Sequence, residues 1–277
     1  MAGSLVLFTV ILPLLLGCVL AGVTFFTPAR VALLTLATLA AILFIYYFLE
    51  GLPPLPPVSS KHKIFYIFIV LGVAASASQK INKTPQVLLT IGLLLAALFW
   101  IGQRKISADP YQLEIFLGLL PVIGAGILSA TPQENRAQVF LWPSAFITLA
   151  ISGSLVSILG GYIGLAQMLG SFAALFGGFL AVSYVAIYFL GRSATLANIA
   201  GLNWLLMVAT STILLSIAIF ANKLSAVAFV LVCSVYLTPF ITARFVGGKN
   251  WWTPFVMGGV SLVPALCAIA FAWAYSL

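Results

Sequence analysis

From residue 137 to residue 191 the chain holds 55 consecutive residues without Asp, Glu, Lys or Arg, bounded by Arg136 and Arg192. A water-soluble domain cannot accommodate such a run, because much of any soluble fold stays on its surface. A bilayer can. One helical crossing takes about 20 apolar residues, so the run is long enough for two, with a glycine-rich break at Gly160-Gly161-Tyr162-Ile163-Gly164. The remainder repeats the pattern: the 277 residues are 63% hydrophobic and 6% charged, with a mean hydropathy of +1.23. Soluble domains are about 25% charged. The apolar runs are continuous, whereas barrel strands alternate apolar and polar residues. The sequence therefore predicts an all-α, polytopic integral membrane protein: a single transmembrane domain over residues 1–277 in which lipid is the solvent.

Ten spans are predicted, at about Ser4–Phe25, Val31–Leu49, Lys61–Ser78, Pro85–Gly102, Tyr111–Ser129, Val139–Leu159, Gln167–Leu190, Ile199–Phe220, Leu224–Ala243 and Thr253–Tyr275. Leu15-Leu16-Gly17-Cys18 has the look of a lipoprotein cleavage box, but no Lys or Arg precedes it. The segment is therefore read as a retained first helix. The stretch from Gly51 to Ser60 carries four prolines within seven residues, which forbids a regular helix and predicts a stiff, extended spacer. Gln103 to Asp109 is expected to be a polar loop.

Loops after odd-numbered spans hold seven basic residues and the other surface holds five, which by the positive-inside rule places both termini outside the cytoplasm. The short loops suggest a bacterial cytoplasmic (inner) membrane. Five spans lie on each side of the loop near Arg136, so halves 1–136 and 137–277 that shared a fold would be inverted, as in many secondary transporters. Prolines fall inside the first and last helix of each half, at Pro13 and Pro121, then Pro143 and Pro264. Together with Pro239 they are the candidate helix bends. Gly170, Ala174 and Gly178 recur every four residues and form a small-residue packing seam.

The charge inventory excludes several chemistries. The net charge is +8, from twelve Lys and Arg against four acids. The basic residues are scattered and make no nucleic-acid footprint, so membrane lipid is the expected partner and nucleic acid is not. The one histidine, His62, precludes a histidine-built metal or haem site, and Cys18, Cys233 and Cys267 all lie in apolar runs. No metal or other cofactor is expected. Signatures of metalloproteases, P-loops, dinucleotide sites and serine hydrolases are missing.

Intramembrane charge usually marks function, and here only Glu114 approaches a span interior. Polar residues within spans form the second set. Gln167, Asn203, Thr210, Ser211, Thr212, Tyr236, Thr238 and Thr242 are, with Glu114, the candidate solute path. Arg192 and Arg244 are candidates for an anionic substrate or lipid head group. These residue types suit a neutral, weakly polar or amphiphilic solute moved by alternating access. Two other readings stay open: a non-enzymatic accessory or structural subunit, associated with other membrane subunits or as a homodimer, and a lipid-modifying membrane enzyme.

Overall fold

A computed structural model describes residues 6–26, 31–78, 82–130, 138–192, 196–245 and 251–276, with the side chains of residues 78, 138–139, 196–198 and 244–245 outside the description. Ten of its helices are long and apolar enough to cross a membrane. They are α1 Leu7–Phe26, α2 Val31–Glu50, α3 Ser60–Ala77, α4 Lys83–Ala108, α5 Leu113–Ala130, α6 Phe140–Leu159, α7 Ile163–Phe189, α8 Ile199–Phe220, α9 Ala226–Ala243 and α10 Thr253–Ser276. The described residues contain no strand. The protein is an all-α, multi-pass integral membrane protein.

Most helix limits fall close to those predicted, and two differ. The expected loop after Gly102 is helical through Ala108, where the Asp109 amide still donates to the Lys105 carbonyl at 3.0 Å. Gln, Arg and Lys are strong helix formers, and their polarity marks the membrane surface rather than the end of the helix. The start of α7 is Ile163 rather than Gln167. Its turn from α6 is compact because Gly161 takes φ +80°, a conformation that suits glycine.

The bundle is built around α8. Every residue from Gly201 to Ile219 is buried, and α2, α3, α4, α5, α6 and α7 all pack against this helix. Its last open side meets α9 through Tyr236. Outside this ring, α1 lies on α7 and α10 lies on α6 and α9. Enclosure suits the polar groups of α8: Ser211, Thr212 and Ser216 donate to carbonyls of their own helix, whereas Asn203 and Thr210 carry groups that lipid cannot satisfy. Spans facing lipid instead expose large apolar side chains, such as Leu33 and Leu36 on α2 or Leu262, Val263 and Leu266 on α10.

The α1–α7 contact depends on two glycines. A Cβ on Gly17 would overlap the Leu175 carbonyl oxygen, and one on Gly178 would overlap that of Leu14. Between them the Cys18 thiol donates to the Gly178 carbonyl at 3.6 Å. Of the predicted seam, Gly178 thus faces α1, whereas Gly170 has Ser154 of α6 as its near neighbour and Ala174 is half-buried.

Three spans depart from α geometry. Leu7–Ile11 of α1 and Val185–Phe189 of α7 are π turns, and Val235–Leu237 of α9 is a 3₁₀ turn. The first immediately precedes Pro13, whose ring conflicts with the carbonyl four residues earlier. Pro121, Pro143 and Pro264 lie inside helices that continue through them.

Candidate functional site

In the last third of α9, Pro239 has no amide hydrogen to offer the Val235 carbonyl, the i→i−4 bond of a regular helix. The chain tightens instead. The Thr238 amide donates to that carbonyl, and the Thr238 hydroxyl donates to it as well, at 2.8 Å. The 3₁₀ turn is therefore the local consequence of Thr238-Pro239. It swings the Tyr236 side chain inward, where its hydroxyl lies 2.5 Å from Ser211 Oγ of α8. Gly124 of α5 makes room for the ring: a Cβ there would sit 2.5 Å from it. On the other flank, Thr238 Oγ1 lies 2.8 Å from Ser261 Oγ of α10. Four spans thus meet through two hydroxyl pairs on the flanks of α9, Ser211–Tyr236 and Thr238–Ser261, together the hydroxyl cluster: α5 by its glycine, α8, α9 and α10 by side chains.

Further along α8 the Trp204 indole N–H donates to Thr90 Oγ1 of α4 at 2.8 Å. Thr212 and Thr242 donate back to the carbonyls of Val208 and Thr238, each at 2.8 Å. By contrast, Asn203 Oδ1 and Thr210 Oγ1 are buried with no hydrogen-bond partner among the described residues. They lie two turns apart, hence on one face of α8. That face continues to Leu214, which packs onto Gly153 of α6. On the facing helix, eleven residues before Gly153, the indole N–H of Trp142 also lacks a partner. Among the described residues a donor on α6 and two acceptors on α8 are therefore buried and unused, in a protein interior where more than nine in ten such groups are paired.

A concavity opens on the outer side of the bundle. A cleft of about 510 Å³ separates α10 from α6 and α7, walled by Ile147, Ile151, Leu180, Phe255 and Leu262. Tyr184 stands at one end, its ring centroid 5.7 Å from that of Phe255 and 5.0 Å from that of Tyr188. Ser144 and Thr148 also line the cleft, but both hydroxyls donate to carbonyls of their own helix, at 3.1 and 3.0 Å. The cleft therefore presents an apolar wall. One side of α10 faces it through Gly258, Gly259 and Leu262, while Ser261 reaches the hydroxyl cluster.

Other candidates lie elsewhere. Glu114 is in the first turn of α5 at the membrane surface, 3.9 Å from Lys105 Nζ. Gln167 is half-buried early in α7 and has no side-chain hydrogen bond among the described residues. Arg192 stacks its guanidinium on Phe26, 5.7 Å from the ring centre, which ties the end of α7 to that of α1. The Arg244 side chain lies outside the described residues. The sequence does not single out Ser261, Thr90, Trp142 or Gly17, and it marks Gly124 only as a possible break in its span, not as the neighbour of Tyr236. Ser and Thr in spans are visible signals, but nothing local reveals which ones meet.

At one end of the bundle Lys61 Nζ lies 3.0 Å from Glu50 Oε1, closing the proline linker between α2 and α3. The Tyr66 hydroxyl donates to the Pro54 carbonyl at 3.1 Å and pins the linker from the other side. Burial, and secondarily the Glu50 carboxylate, push the Tyr162 phenol above its ordinary pKa. Among the described residues no three of His, Cys, Asp or Glu come together in a metal-binding group.

Fold and site together define a ten-span helical membrane protein with an enclosed, uncharged hydroxyl cluster beside an interrupted helix. No family model matches the chain, and no curated protein or solved structure is significantly similar to it.

Proposed function

We propose that the protein carries a small neutral, weakly polar or amphiphilic solute across a bacterial cytoplasmic membrane by alternating access, without chemical conversion. The observation that carries this reading is the interruption of α9 where Tyr236 bonds to the enclosed α8. Mid-span 3₁₀ turns often mark hinges, and discontinuous helices near the bilayer midplane recur in transporters. A hinge there moves Tyr236 and Thr238 relative to Ser211 and Ser261. The unused polar atoms of Asn203, Thr210 and Trp142 supply hydrogen bonds to a solute once the packing opens. The cleft beside α10 suits the apolar body of an amphiphile. Two inverted halves are not needed: α3, the counterpart of α8 in such a pairing, exposes Val70 and Val73.

The test is reconstitution into liposomes and efflux of a panel of neutral solutes, from glycerol and urea to short-chain alcohols and monoacylglycerols. Wild-type protein should accelerate at least one of them over protein-free vesicles. Asn203→Leu and Ser211→Val should each cut that flux about tenfold or more while the protein remains monodisperse. A panel that does not move, with both variants supporting the cellular role normally, would sink the proposal.

The accessory-subunit reading stands beside it on one observation. Added Cβ atoms at Gly22, Gly92, Gly177, Gly258 and Gly259 would meet nothing within 4 Å, and such bare positions permit close approach by a partner helix. Purification in mild detergent with a stoichiometric second protein would favour that reading.

A further inference from the structure

The geometry points to a binding site for a phosphate-bearing anion at the end of the bundle where the proline linker meets α4, a site separate from the hydroxyl cluster. A cavity of about 650 Å³ lies there, walled by Pro57 of the linker, Lys63 of α3, Trp100, Arg104 and Lys105 of α4, and Phe220 of α8. Lys63 Nζ donates to the Trp100 carbonyl at 2.6 Å and lies 5.9 Å from the centre of its ring. These contacts use only part of an ammonium's three donors.

Charge balance is the central point. On this surface Lys61 is paired with Glu50, and Lys105 with Glu114. Lys63 and Arg104 both line the cavity, and neither has a carboxylate partner among the described residues. Two neighbouring cations facing one concavity repel each other, and an anion between them removes the repulsion and adds charge-assisted hydrogen bonds. The volume is several times that of a bare phosphate, taking a water as about 30 Å³, so the fit is to a phosphate carrying an organic group. The walls match: Trp100 and Phe220 flank the cations with aromatic surface at interfacial depth. An anionic phospholipid head group and a soluble organic phosphate share this chemistry. The site lies on the surface opposite Arg192, where the sequence alone placed an anion contact.

The experiment measures thermal melting of the full-length protein in three preparations: neutral phosphatidylcholine nanodiscs, nanodiscs doped with phosphatidylglycerol, and neutral nanodiscs with glycerol phosphate added. Protection by phosphatidylglycerol alone assigns a lipid head group, and protection by glycerol phosphate in neutral lipid assigns a soluble ligand. In either case Lys63→Gln and Arg104→Gln should each weaken the half-saturating concentration about tenfold, while Lys223→Gln on the same surface should not. Melting in neutral lipid alone verifies that each variant is folded. Should one variant melt early there, the other carries the test. Absence of protection by both probes, or protection undiminished in the folded variants, would overturn the assignment.

Discussion

At the scale of single residues, the most informative group is the Tyr236 hydroxyl, buried in the bundle and joined to Ser211. A hydrogen bond between membrane helices contributes about 0.6 kcal/mol on average and up to about 1.7. Tyr236→Phe and Ser211→Ala should each destabilise by about that amount. A double-mutant cycle should then recover a coupling of similar size, read by unfolding in mixed micelles. Simple additivity would place the two hydroxyls apart. Glycines give a sharper contrast. Gly178→Leu must push α1 off α7, because the space is already filled by the Leu14 backbone. A large loss of melting temperature or of monodisperse protein is expected on size-exclusion chromatography. Gly177→Ala, one residue away and with nothing within 4 Å, should be neutral. Gly170, Ala174 and Gly178 are legible as a seam, but their separate neighbours are not, because the Leu14 and Cys18 backbone of a distant segment supplies the close contact for Gly178.

At the scale of elements, α9 ties sequence to motion most directly. Its 3₁₀ turn exists because Pro239 cannot donate to Val235 and Thr238 fills the vacancy. Pro239→Ala restores the amide and lets the helix run on, so melting temperature should hold or rise slightly. If α9 is a working hinge, flux in the liposome assay should fall several-fold in the same variant. Flux unchanged in a stabilised Pro239→Ala protein would remove the hinge from the mechanism. This interruption was readable as a candidate bend at Pro239, although the inward turn of Tyr236 was not. The extension of α4 through Ala108 shows the reverse: the polarity of Gln103 to Asp109 predicts a loop, whereas a helix leaving the membrane keeps its hydrogen bonds and changes only its solvent.

At the scale of the whole molecule, alternating spans place Gln103, in the last two turns of α4, and Arg192, beyond the end of α7, on opposite membrane surfaces. Single cysteines at these positions should react with an impermeant maleimide from opposite sides, and the positive-inside bias places Gln103→Cys outside. Labelling of both from one side would break the ten-span arrangement. Membrane residence, helical class, span count and the tight glycine turn after α6 were all determined by the sequence alone. The first three rest on the length of an apolar run against the thickness of a bilayer, and the turn rests on the access of glycine to positive φ. That α8 is the enclosed helix, that Ser211 meets Tyr236, and that Lys63 and Arg104 share a cavity are properties of the folded bundle alone. In lipid every apolar span is equally well solvated, so burial between helices is selected by shape and hydrogen bonding across distant segments, and those pairings leave no trace in any one stretch of sequence.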